Sequence, residues 1–175
     1  MFKLSHKWLG LAVLLTSLLG PMTASADCNL NAQQSTPADD FVIKEDGTVL
    51  HKVTGLMWKR CPEGLSSTNC VLGSAKGYEW SEALEFAIDH SFAGYNDWRL
   101  PNIKELASIV ETSCSSPAIN SEVFPYEDGT FTRYFWSSSP SGNTRALRVS
   151  FGTEGNIWND GRNFSYRVRL VRDTQ

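Results

Sequence analysis

The stretch DWRLPNIKELASIV, Asp97 to Val110, changes from an extended to a helical pattern at its middle and so sets a corner in the chain. Pro101 pushes the residue before it toward extended backbone. Asn102 followed three positions later by Glu105 fits a capping box, with Asn in place of the usual Ser or Thr. Ile103, Leu106, Ala107 and Val110 then share one apolar stripe. These features predict an extended lead-in, Arg99 to Pro101, and a helix of about nine residues. Trp98 is expected in the core, with Asp97 and Arg99 satisfying buried backbone or each other. The corner reads as a structural device, even though an acid, an indole and a guanidinium stand side by side in it.

Working outward, Asp46-Gly47 between Phe41–Lys44 and Thr48–Val53 predicts a hairpin. A third strand is expected through Leu56 to Lys59. Trp80, Leu84, Ala87 and Ile88 recur at helical spacing and predict an earlier helix ending near His90. After Cys114 the chain is loop-rich as far as Tyr134-Phe135-Trp136. Leu147, Val149 and Phe151 then alternate with Ala146, Arg148 and Ser150, the pattern of a half-buried strand. Past a turn at Gly152 to Gly155 come Ile157-Trp158 and a last alternation, Phe164, Tyr166, Val168 and Leu170, with Arg167 and Arg169 opposite. The order predicts an α+β fold, two helices packed on small antiparallel β-sheets.

At the N-terminus, Lys3 and Lys7, the apolar run Trp8 to Leu19, Gly20-Pro21 and Ala24-Ser25-Ala26 follow the order of a secretory signal peptide. Residues 1–26 are read as signal peptide, 27–40 as a polar N-terminal tether and 41–175 as a single domain. The apolar run is about a dozen residues, short of the roughly 20 that span a bilayer, so the exported chain is expected to be soluble and not membrane-spanning. A periplasmic, secreted or cell-surface location follows. Cys28, Cys61, Cys70 and Cys114 make an even count in an exported chain, which points to two disulfides. The polar, turn-rich spacer between Cys61 and Cys70 favours that pair, leaving Cys28 for Cys114. A metal site competes poorly, because there is no C-x-x-C spacing and only His51 and His90 remain.

Charge divides unevenly along the chain. From Asp27 to Thr130 there are 7 basic and 16 acidic side chains, whereas Phe131 to Gln175 has 7 basic, all arginine, against 3 acidic. Planar guanidinium forks suit carboxylate, sulfate and phosphate, so the last third is a candidate anion-binding face. The competing reading is that these arginines pair with the acidic two-thirds of the same domain or simply solvate strands.

Five blocks carry a resemblance: TGLMWKRC (Thr54 to Cys61), AGYNDWRLPNIKELASIV (Ala93 to Val110), PAINSEVFP (Pro117 to Pro125), FWSSSP (Phe135 to Pro140) and YRVRLVR (Tyr166 to Arg172). In this order they resemble the Lcl C-terminal domain family, named for a collagen-like bacterial adhesin, over about Phe41 to Arg172. The resemblance implies a bacterial envelope or secreted domain with a C-type-lectin-like fold and, as in the naming adhesin, binding of sulfated glycosaminoglycans. No collagen-like repeat accompanies the domain here. WRLPNIKEL is also distantly similar to the formylglycine-generating enzyme and sulfatase-modifying factor family. Those enzymes use a late pair of cysteines with copper, and nothing after Cys114 is a cysteine, so that oxidase activity is not expected.

No G-x-S-x-G, H-E-x-x-H or phosphate loop occurs, so no catalytic residue is assigned and the chain is not expected to be an enzyme. Trp158-Asn159-Asp160 repeats the three letters with which calcium-dependent lectins hold their ion. Asn159 and Asp160 are therefore candidate calcium ligands, and calcium is the one cofactor the sequence raises. A polar turn between strands is the competing reading. The expected ligand is a glycan or sulfated polyanion, held by Arg145, Arg148, Arg162 and Arg167 with Trp158 as a stacking platform near Tyr134 and Arg162. Docking on another envelope protein is the alternative, and no nucleic-acid partner is expected.

Overall fold

The computed structural model describes residues 27–125, 133–152 and 154–174; the expected signal peptide lies outside them. The elements, in chain order, are β1 (Asp27–Cys28), β2 (Phe41–Ile43), β3 (Thr48–His51), β4 (Leu56–Lys59), β5 (Leu65–Ser66), β6 (Leu72–Gly73), α1 (Trp80–Ile88), α2 (Ile103–Ala107), β7 (Cys114–Ser115), β8 (Tyr134–Ser141), β9 (Arg145–Ser150), β10 (Ile157–Gly161) and β11 (Val171–Asp173). All strand ladders are antiparallel, and with two short helices the fold is α+β. The largest sheet has the order β11-β4-β3-β2 and the second the order β10-β9-β8. The hairpin expected around Asp46-Gly47 is β2–β3. Gly47 takes φ +84°, and Asp46 accepts from both the amide and the hydroxyl of Thr48, which fixes the turn.

The corner works as a stitch between sheets. Asn102 accepts from the amides of Lys104 and Glu105 while Glu105 reaches back to the amide of Asn102, so both halves of the capping box are present. The helix itself is five residues and not nine. Ser108 donates its hydroxyl to the Glu105 carbonyl, competing for helical acceptors, and the chain turns there while Ile109 and Val110 remain buried. Arg99 exchanges backbone hydrogen bonds with Val171 at 2.9 and 3.0 Å. Trp98 is 3% exposed and donates its indole N–H to the Phe92 carbonyl. Asp97 and Arg99 do not pair with each other or with buried backbone through their side chains. Asp97 takes the Arg172 guanidinium at 2.7 and 3.0 Å, and Arg99 forks onto Glu105 at 2.7 and 2.8 Å with Asp173 behind.

Two apolar clusters fill the interior. One gathers β2–β4, the residues around α2, Ala118 to Phe124 and the inner side of β8–β9. The other joins Met57, Ala83, Ala87, Trp98, Leu100, Trp136, Val168 and Leu170. The buried side of α1 is made by Ala83 and Ala87, whereas Ile88, expected on the apolar stripe, is 74% exposed. Both faces of β9 are covered, so Ala146, Arg148 and Ser150 are buried and not outward-facing as alternation predicts. The covering segment is Tyr166 to Leu170, which forms isolated bridges until regular pairing starts at Val171.

Cys28 joins Cys114, and Cys61 joins Cys70, the two pairs that spacing favours. Residues 29–40, expected as a tether, are strapped to the domain. Glu111, 1% exposed, accepts from the amides and hydroxyls of Ser35, Thr36 and Ser113. Burial opposes its charge, but these bonds outweigh the opposition and hold its pKa down at about 2. Among the described residues no helix is long and apolar enough to cross a membrane.

Candidate functional site

Register and alternation decide which C-terminal side chains can act together. β10 is an edge strand, with Trp158 opposite Arg148 and Asp160 opposite Ala146 on β9. Arg148 in turn faces Trp136 on β8. Successive strand residues point to opposite sides. Trp158, Asp160, Arg148, Trp136 and Tyr134 therefore share one side, while Ile157, Asn159 and Arg145 lie on the other.

On the first side a charged pair is set among rings. Arg148 donates Nε to Asp160, and its guanidinium lies 3.9 Å over Tyr134 and 5.1 Å from Tyr166. Tyr166 donates its hydroxyl to the same Asp160 oxygen at 2.9 Å. Burial raises the pKa of Asp160, but the bonds from Arg148 and Tyr166 outweigh it, so the carboxylate titrates below its ordinary value. Burial and the neighbouring carboxylate push Tyr166 up to about 12, so it remains a donor at any physiological pH. The Tyr166 ring stacks on Phe164, 6.0 Å between centroids and 4° from parallel, and contacts Trp136 at 4.7 Å. Trp158 and Phe164 stay 58% and 52% exposed at the rim of this cluster.

The five residues expected to hold a ligand do not form one surface. Arg148 is buried and ion-paired, so its charge serves the cluster interior. Arg145 lies on the opposite side and donates to Asn159. Arg162 leaves Trp158 aside and lies 4.2 Å over Trp80, donating to the Arg145 and Gly142 carbonyls. Arg167 is half-buried, its backbone paired with Tyr134 and Trp136. The competing reading of the arginine excess holds for Arg172, which pairs with Asp97, whereas Arg169, 1% exposed, donates to the Lys59 and Arg60 carbonyls.

Asn159 and Asp160 are in a strand, not a turn, and point to opposite sides of it, each already accepting from an arginine. Their oxygens do not converge on an ion. Among the described residues, no group of three or more His, Cys, Asp and Glu is placed to hold a metal. In the serine run, Ser137 is buried and donates to the Leu147 carbonyl. His51 stacks on Phe41, and His90 lies beside Lys59 and Glu63. Phe164 and Tyr166 are the site residues that sequence reasoning missed. Alternation assigned both inward, and only the stacking of one on the other separates an exposed ring from a half-buried one.

Compared with known families, residues 47–172 match the family model described as the Lcl C-terminal domain, from the hairpin tip to β11. None of the curated proteins matches the chain.

Proposed function

Because the chain belongs to the Lcl C-terminal domain family, we propose that it is an exported binding domain of C-type-lectin-like fold that takes a glycan at the rim of the three-stranded sheet. In this reading residues 1–26 are a signal peptide, the remainder is one domain in the periplasm or at the cell surface, and no catalysis is involved. Two disulfides suit such a compartment. The observation that carries the proposal is the exposure of Trp158 and Phe164 beside the hydrogen-bonded Arg148–Asp160–Tyr166 group. Rings of this kind present an apolar face to the C–H face of a pyranose and cost little ordering entropy, because their support is already rigid. Arg145, on the opposite side of the same strands, and Arg162, over Trp80, lie off this ring face and contribute only longer-range positive charge toward sulfate or carboxylate substituents.

Retention on immobilised heparin and binding to a glycan array, each across a salt series with and without calcium, tests the reading. Trp158→Ala is expected to abolish binding of the array ligand, calcium to change nothing, and salt to weaken sulfated ligands most. Undiminished binding by Trp158→Ala would remove the proposal. Docking on an envelope protein is the second reading, favoured by Ile157, half exposed on the opposite side of the same edge strand. It predicts no carbohydrate retention at any salt concentration.

A further inference from the structure

Away from the sheet rim, a cavity of about 360 Å³ lies between the tip of the β2–β3 hairpin and the loop closed by Cys61–Cys70. Its walls include Lys44 and Gly47 from the hairpin, Lys59 and Arg60 at the end of β4, Leu65 of the loop, and Phe92. That volume falls in the lower part of the roughly 300–1,000 Å³ range of small-molecule sites. The loop wall is not loose: the disulfide packs with Leu65 in its own apolar cluster, and the Arg60 amide is tied to the Gly47 carbonyl at 3.0 Å.

The charge behind this cavity is unbalanced. Lys59 holds both oxygens of Glu63 at 2.8 Å and lies 3.3 Å from His90 Nε2. Arg169, fully buried, sits behind the carbonyls of Lys59 and Arg60. The buried carboxylate of Glu63 thus serves Lys59 directly and Arg169 through space, and Arg60 lies beyond them with its guanidinium on the Val123 and Glu122 carbonyls. Burial, reinforced by Arg60 and only partly offset by Glu63, brings Arg169 down to about 9. Burial likewise holds His90 below its ordinary value, with Glu63 opposing and Lys59 adding to the effect. The rim acids Glu45 and Asp46 are exposed, and Asp46 is spent on Thr48. Among the described residues, neither Lys44 nor Arg60 has a carboxylate within ion-pair distance. Arg60 is held in place by donating Nε and Nη2 to the Val123 and Glu122 carbonyls. The apolar part of the lining is Leu65, Cys61 of the disulfide and the Phe92 ring, which packs near Gly47 and under Lys59 Nζ at 4.6 Å, with Ser66 to Thr68 completing the loop wall.

We propose that this cavity binds a small carboxylate carrying an apolar body, its anion toward Lys44 and Arg60 and its body against Phe92, Leu65 and the disulfide. Lys59, whose donors are already engaged, contributes charge and not a direct bond. The site is separate from the sheet rim and does not depend on glycan binding there.

Benzoate and its neutral analogue benzamide, titrated into the 15N-labelled protein, test this. Benzoate is expected to give saturable shifts centred on the amides of Gly47, Arg60, Thr68 and Phe92, with benzamide at least about ten-fold weaker. Thr68 is exposed at the cavity, so Thr68→Trp fills its mouth and is expected to abolish the shifts. Lys44→Glu is expected to weaken binding about ten-fold at an unchanged melting temperature, and Trp158→Ala to leave it intact. The proposal is overturned if benzoate gives no saturable shift, if benzamide binds equally well, or if both cavity variants bind like the parent protein.

Discussion

The corner Asp97 to Asn102 and the sheet rim Trp158 to Phe164 contain nearly the same chemical groups, and the protein uses them in opposite ways. At the corner, Asp97, Arg99, Asn102 and Glu105 spend their polar atoms on one another's neighbours, and Trp98 is sealed beneath them. At the rim, Asp160, Arg148 and Tyr166 are also joined by hydrogen bonds, though one buried Arg148 nitrogen has no partner among the described residues, and two large rings are left facing solvent. The two places differ most in unburied apolar surface, which is present at the rim and absent over Trp98, and it is that surface on which the proposed ligand contact rests.

The sharpest way to break this comparison is to exchange the fates of the two indoles. Trp98→Ala removes a ring buried among Ala83 and Ala87 of α1, Met57 of β4 and Trp136 of β8 and is expected to cost about 3–5 kcal/mol of unfolding free energy in a urea titration. A second effect concerns pH. Glu111 titrates at about 2 in the folded protein against an ordinary 4.5. Its folded pKa is depressed, so its contribution of about 3 kcal/mol is complete above pH 4.5 and is lost as pH falls toward 2. Glu111→Gln should flatten this part of the acid-unfolding curve. Arg99→Ala takes the fork away from Glu105 and Asp173; because the guanidinium is about a third exposed, a loss of about 1–2 kcal/mol is expected. The smallest stability change belongs to Trp158→Ala, expected within about 0.5 kcal/mol of the parent protein while glycan binding disappears. Equal destabilisation by Trp98→Ala and Trp158→Ala would collapse the distinction.

Much of the scaffold was legible because its signals are local. Asn102 and Glu105 stand three residues apart and form the capping box that their spacing predicts, and Asp46-Gly47 makes its own turn. The second helix is shorter than its apolar stripe predicts, because a stripe cannot report that Ser108 ends the helix while Ile109 and Val110 stay buried. The arginines were harder to read. Arg148 occupies an outward position in the two-residue period, and Tyr134 of β8 together with the returning Tyr166, held by a bridge to Tyr78, covers it. Arg169 and Arg172 find partners about a hundred residues and 75 residues away, separations that no sequence window contains. The strap at 29–40 escaped for the same reason, since its polar composition suits a tether until Glu111 supplies the acceptors.

The bond between Cys28 and Cys114 spans 86 positions of sequence. Seen mechanically, it is a shunt. A pull arriving along the backbone at residue 27 and leaving toward residue 174 passes through sulfur straight into β7, bypassing the strap, the β2–β3–β4 ladder and both helices. Tension then falls on residues 115–174, where β11 is held against β4 and Arg99, and the first part of the domain to yield should be the withdrawal of β11 from that sheet.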